Sequence, residues 1–270
     1  MQEIQMAKHF RFSLLGVLLI WAALLAPAAP AQTPVAVRYT EGLLRGFLVL
    51  RTLEGRDLAH GELAQTARGQ RVTSHLVLQF KDGSVHEENV LFTQLRSFRL
   101  LRYRLLQKGP AFKVPMEVKI EGATGQVTVR YTDEDGKEKV ESERLKLPPD
   151  LANGMLPVLL KNIPPGAKQT SVSYVAATPK PRLVKMVISP EGEGTFLVGG
   201  LSRKATHFVI KIEIGGVAGF LAPMLGKQPQ DSRAWVLGGE APGFLKLEGP
   251  LFLGGPSWRI EIASPVWQEK

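Results

Sequence analysis

Apolar and polar residues alternate along most of this chain, and glycine-bearing turns interrupt the alternation at short intervals. The pattern predicts strands over 43–52, 58–68, 71–80, 84–94 and 97–107. Arg68-Gly69-Gln70 and Lys81-Asp82-Gly83 are hairpin turns, Asp-Gly being a strong signal for one. After Gly109-Pro110 the alternation is cleaner still. Met116, Val118 and Ile120 face one way, and Glu117, Lys119 and Glu121 the other. Val127, Val129 and Tyr131 repeat that arrangement, and Asp133-Glu134-Asp135-Gly136 turns the chain into a further strand over 137–145. Strands with one dry and one wet face belong to antiparallel sheets.

Past Pro148-Pro149 the period changes. Leu151, Met155, Leu159, Leu160 and Ile163 share a helical face, with Asp150 as an N-cap residue. Gly154 and Pro157 forbid one continuous helix, so the expectation is a turn near Asn153 and a short helix near 156–163 with Pro157 in its first turn. Strands resume at 170–176, 182–188 and 204–214, then more briefly at 234–237, 244–247 and 258–262. In 204–214, Phe208, Ile210, Ile212 and Ile214 oppose His207, Val209, Lys211 and Glu213. The expected architecture is mostly β: a curved antiparallel meander, half-barrel or open barrel, with one short helix packed on its concave side. The chain could also divide into two halves, 37–163 and 168–267. A transmembrane barrel is the architectural rival, since alternation alone fits both. The prolines, the helix and the uneven strand spacing favour a dry interior.

The N-terminus adds a compartment. Lys8 and Arg11 precede an apolar run over 13–25, and Ala29 and Ala31 stand where a signal peptidase reads small residues. Residues 1–31 are expected to be a cleaved secretory signal, with Met1 or Met6 as the start, leaving an exported domain over 32–270 in the periplasm or outside the cell. The apolar run is shorter than the roughly 20 residues that span a bilayer, and no later stretch approaches that length. No membrane span is therefore expected once the signal is removed. The chain has no cysteine, which excludes a disulfide framework and a lipid-modified N-terminal cysteine. Removing residues 1–31 takes away two basic groups and one acidic group and leaves a net charge of +8, for which an ordinary solvated basic surface is a better account than peripheral contact with anionic headgroups.

Candidate chemistry is sparse. His60, His75, His86 and His207 show no ligand spacing, and His86-Glu87-Glu88 lacks the second histidine of a zinc helix, so the histidines are read as surface residues and no metal site or cofactor is assigned. Asp133-Glu134-Asp135-Gly136 is too short for a calcium loop. Gly200-Leu201-Ser202-Arg203-Lys204 has lysine where a nucleophile elbow needs its second glycine. Gly226-Lys227 lacks the rest of a phosphate loop. Arg96, Arg99, Arg102, Arg104 and Lys108 gather around Phe98 and Tyr103, but a wet strand face accounts for them better than nucleic-acid binding. No catalytic residue is assigned. The segment 214–226 is uncharged and glycine-rich. It reads as buried strand and turn, as an apolar flap over a ligand cavity, or as a membrane-touching surface. The flap reading gives Phe220, Leu221, Met224, Leu225 and Trp235 as ligand-binding candidates.

Three groups of residues carry a resemblance: 69–83 (GQRVTSHLVLQFKDG), 147–154 (LPPDLANG), and 204–226 followed by Trp235, Gly249-Pro250-Leu251 and Trp258. On them the chain resembles a group of uncharacterised exported bacterial β-rich proteins that carry a domain of unknown function. The resemblance implies an exported β domain and no assigned role. More distantly, the expected architecture is similar to the half-barrel of periplasmic lipoprotein carriers, an analogy of shape alone. Three functions fit: a binding or carrier protein for a lipid or another apolar or amphipathic ligand in the cell envelope, a non-enzymatic envelope interaction protein, and a hydrolase whose site is assembled from dispersed residues.

Overall fold

Strand follows strand through the first half of the computed structural model, which describes residues 34–164, 166–198, 200–213 and 229–263. β1 (Leu44–Thr52), β2 (Asp57–Arg68), β3 (Arg71–Phe80), β4 (Val85–Gln94), β5 (Phe98–Lys108), β6 (Met116–Glu121), β7 (Gln126–Thr132) and β8 (Glu138–Arg144) form an antiparallel meander in chain order. The second half contains α1 (Leu156–Asn162), β9 (Thr170–Ala176), β10 (Arg182–Val198), β11 (Leu201–Glu213), β12 (Ser232–Leu237), β13 (Gly243–Pro250) and β14 (Ser257–Ala263). All 14 strands belong to one sheet, ordered β8 to β1, then β14 back to β9. The described residues lie in a single compact unit.

This order explains the position of the helix. The chain starts near the middle of the sheet, runs out to one edge at β8, and resumes at the other edge, β9. The crossover over 145–169 carries α1. Leu159, Leu160 and Ile163 join one hydrophobic cluster with Val118, Ile120 and Val127 from near one edge and Val172 and Val175 from the other. A sheet whose two edge regions pack on the same helix is strongly curved. The fold is therefore a curved antiparallel open barrel with a short helix on its concave side, as the alternation of the sequence implies. Among the described strands, β-bulges interrupt the register at Leu50/Arg51, Leu91/Phe92, Pro190/Gly192 and Trp235/Val236. Bulges bend strands and increase their twist, which a curling sheet requires.

The two edges are protected differently. In β8 nearly every residue is exposed and most are charged, which discourages further pairing. β9 is covered by the chain ahead of α1: Ala152 N–H donates to Ser173 O (2.8 Å), and the Asn153 amide donates to Val175 O and accepts from Val175 N–H (both 2.9 Å). The turn expected near Asn153 is thus an edge cover. Gly154 in that turn has φ +68°, and a Cβ there would lie 2.4 Å from Val90 Cγ2.

Asp150 does not cap the helix. Its Oδ1 accepts the Ser173 hydroxyl (3.0 Å), and α1 begins after Met155 with no side-chain cap, Pro157 occupying its first turn where no N–H is required. The C-terminal end of α1 carries the polar anchoring. Arg38 and Tyr39 N–H both donate to Asn162 Oδ1 (2.8 Å), and Arg38 Nη1 donates to Ile163 O (3.1 Å). Lys161 Nζ lies 2.7 Å from Glu41 Oε1, and both side chains are nearly buried.

β10 and β11 extend further than the alternation predicts, pairing out to Val198 and Leu201. Pro190, Gly192 and Gly194 disguise the strand, because Pro190 and Gly192 form a bulge in which Gly192 takes φ +133°.

Candidate functional site

The inward-facing residues of the first four strands are not all apolar. Register pairing places Leu63, Gln65, Ser74, Leu76, His86, Glu88 and Val90 on the same face of β2, β3 and β4. His86 is 2% exposed, so it is not the surface histidine expected from the sequence. Period two gives no phase here, because His86-Glu87-Glu88-Asn89 is polar on both faces.

A hydrogen-bonded chain holds His86 in place. Gln107 Nε2 donates to Leu251 O (2.8 Å) and to His86 Nδ1 (3.0 Å). With Nδ1 accepting, the ring carries a hydrogen on Nε2, which donates to Glu88 Oε1 (3.1 Å). Two tyrosines stand nearby, Tyr103 buried and Tyr174 half-buried. Burial, and then the neighbouring Glu88 carboxylate, push the phenols of Tyr103 and Tyr174 above their ordinary range, so both stay protonated at physiological pH.

His86, Glu88 and Tyr174 face a cavity of about 220 Å³ between the helix and the two arms of the sheet. Hydrophobic clusters bracket it. On one side lies the α1 cluster, and on the other Leu48, Leu50, Leu78, Phe80 and Phe112, with Phe252 and Trp258 packed against them. Edge-to-face rings close that second side, Phe80 to Phe112 at 5.4 Å and Phe112 to Phe252 at 5.7 Å. The opposite wall, from β10, β11, β13 and β14, is apolar, with Met186, Ile210, Ile212, Leu247 and Ile260. Gln65, Ser74, His86, Glu88 and Tyr174 supply the polar lining on one side, and Gln230 and Ser232 add two uncharged polar groups on the other. Among the described lining residues Glu88 is the only one with a formal charge, and no lysine or arginine is present.

A larger, more open cleft of about 910 Å³ lies beside the β1–β2 and β3–β4 turns, with Trp258 and Phe80 among its walls and charges of both signs around it. Gln230 lines both spaces, so the cleft adjoins the interior cavity. A third space of about 290 Å³ flanks the C-terminal end of α1, next to Arg38 and Lys161.

Of the ligand-binding candidates from the sequence, Phe220, Leu221, Met224 and Leu225 lie outside the described residues. Trp235 lies on the outer face of β12, between inward-facing Ala234 and Val236. Its ring stacks on His207 (centroids 4.6 Å, 16° between planes), and Lys246 Nζ sits 3.9 Å from its centroid. Burial lowers the His207 imidazole below its usual range, partly offset by Glu191. Ser202 is five positions from His207 on one strand, roughly 16 Å away at about 3.3 Å per residue and on the opposite face. The two therefore form no nucleophile–base pair.

The basic residues around Phe98 and Tyr103 behave as a wet strand face: Arg99 and Arg102 are exposed, while both rings point inward. Among the described residues no cluster of His, Asp or Glu could hold a metal ion, and no helix is long and apolar enough to cross a membrane.

Neither the family models nor the curated proteins contain a match to this chain. Among solved structures, the chain is similar to a beta-barrel-like protein of a domain of unknown function from Brucella abortus. The two share 10% identity at a TM-score of 0.42, over 86% of this chain and 97% of that one.

Proposed function

We propose that this protein binds an apolar or amphipathic molecule inside its open barrel and acts in the cell envelope as a binding or carrier protein. The observation that supports this reading most directly is the interior cavity. It lies between two hydrophobic clusters, has an apolar wall, and carries a small group of oriented polar side chains. That is the usual composition of a small-molecule site, where apolar area supplies affinity and a few polar groups fix orientation. A cavity of about 220 Å³ accommodates a chain or ring system of modest size, and the adjoining cleft extends it towards solvent. The leader-like residues 1–31 support the envelope as the place of action.

The test is native mass spectrometry of the protein purified without detergent from the exported fraction, with organic extraction of anything bound. A lipid or other apolar molecule at fixed stoichiometry supports the reading and names its class. An empty protein that also takes up no apolar dye removes it.

A further inference from the structure

The charge inside the cavity restricts what can occupy it. Although the chain is basic overall, at net +9, the described cavity lining contains no lysine or arginine and one carboxylate, Glu88. Gln107 occupies His86 Nδ1 as a donor, so the ring meets Glu88 through its Nε2–H alone. Lys161, nearly buried on α1, lines a different space and is paired with Glu41. Outside the cavity the neighbouring charges are also paired. Glu87, on the opposite face of β4, accepts from Asn89 (2.9 Å) and faces His75 (3.2 Å).

Resting on the reading above, we propose that the cavity selects ligands by their head group: an apolar tail bearing an amine or hydroxyl that donates to Glu88, with carboxylate and phosphate heads excluded. An anionic head placed beside Glu88 would set two like charges in a poorly solvated space with no lysine or arginine among the described lining residues to relieve them. An ammonium or hydroxyl instead completes the coordination of a carboxylate that His86 already orients, through a charge-assisted hydrogen bond. Tyr174 and Ser74, also on the lining, offer oxygens that a hydroxyl or ammonium can use without adding charge.

The experiment loads the protein, purified after expression of the full chain, with the uncharged dye N-phenylnaphthylamine and displaces it at neutral pH. Competitors sharing one tail are used: dodecylamine, monododecanoylglycerol and dodecanoate. The amine and the glyceride are expected to displace the dye at concentrations at least about tenfold below dodecanoate, the scale of one charge-assisted hydrogen bond. Glu88→Gln should bring the competitors to within about twofold of one another, whereas Glu87→Gln, on the outer face, should leave the ratio unchanged. The basic surface favours non-specific uptake of dodecanoate, so adsorption works against the expected result. Equal or better displacement by dodecanoate, or a ratio that Glu88→Gln leaves intact, overturns the head-group selection while the cavity reading survives. Failure to take up the dye or any of the amphiphiles removes both.

Discussion

Glu41 and Lys161 form a nearly buried ion pair, their side chains 4% and 11% exposed. Glu41 also accepts from Gln65 Nε2 (2.6 Å), while its backbone N–H and C=O are both held by Gln94 (2.5 and 3.0 Å). The pair therefore fastens the segment before β1 to the last turn of α1, where a lysine is favoured by the helix dipole. Removing one partner strands a desolvated charge, so Lys161→Ala should cost about 3–5 kcal/mol, read as a lower denaturant midpoint. The double change Glu41→Gln with Lys161→Met should recover much of that loss. Asp150 behaves differently. Burial raises its carboxyl above the usual range, against the lowering effect of Ser173, and its Oδ2 has no hydrogen-bond partner among the described residues. Because the folded-state value is raised, the folded protein resists ionising this group. The penalty is absent below about pH 4, the ordinary aspartate range, grows as pH rises through the raised value, and is complete above it. Asp150→Asn should accordingly be more stable than the parent at neutral pH. Equilibrium unfolding at two pH values should show that advantage disappearing in acid. Neither role was legible in the sequence, where Asp150 reads as an N-cap and no pattern singles out Glu41.

At the scale of elements, strand content is legible because one face of most strands is dry and the period is unmistakable. Met116–Glu121 and Gln126–Thr132 bury the residues the alternation assigns to the core, with Val118, Ile120, Val127 and Val129 fully buried. Legibility fails in two places, for different reasons. The outer part of the β10–β11 ribbon is solvated on both faces, so burial imposes no alternation on it. In β4 the inward side carries His86 and Glu88, so the polar site breaks the very pattern that would reveal it. The helix is a third case, legible in position but not in cause. At seven residues it is too short to be stable alone, and its ends are held by packing and by the chain on either side. The edge cover preceding it is testable. Asn153 is 1% exposed and replaces a strand neighbour for Val175, so Asn153→Ala leaves the Val175 N–H and C=O without that partner. The expected loss is about 1–3 kcal/mol. Hydrogen exchange should quicken at the Val175 amide well before it does at β5 or β6.

At the scale of the molecule, the pairing that matters most is the least visible in sequence. β1 and β14 are joined in register, Leu50 opposite Ile260 and Thr52 opposite Trp258, although they lie at the two ends of the described chain. Nothing local specifies that seam. It is fixed by its surroundings: Leu48 and Leu50 bury against Ile260, while on the outer face Arg51 bonds Asp57 (2.6 Å) and Glu261, and Arg259 bonds Glu248 (2.8 Å). The seam unites a first half ending at β8 with a second half beginning at β9 in one sheet, and the α1 cluster joins them again on the inside. Two halves that share a sheet and a core should not unfold separately. Far-UV circular dichroism, which reports every strand, and tryptophan fluorescence, which after removal of residues 1–31 reports Trp235, Trp258 and Trp267 in the second half, should therefore trace one coincident denaturant transition. Leu50→Ala, which empties a fully buried position in β1, should cost about 2–5 kcal/mol and move both probes together. If fluorescence instead kept its midpoint while circular dichroism lost part of its amplitude early, the β1–β14 seam would be a contact between two independent sheets. The interior cavity, walled by both halves, would then open before the second half unfolds.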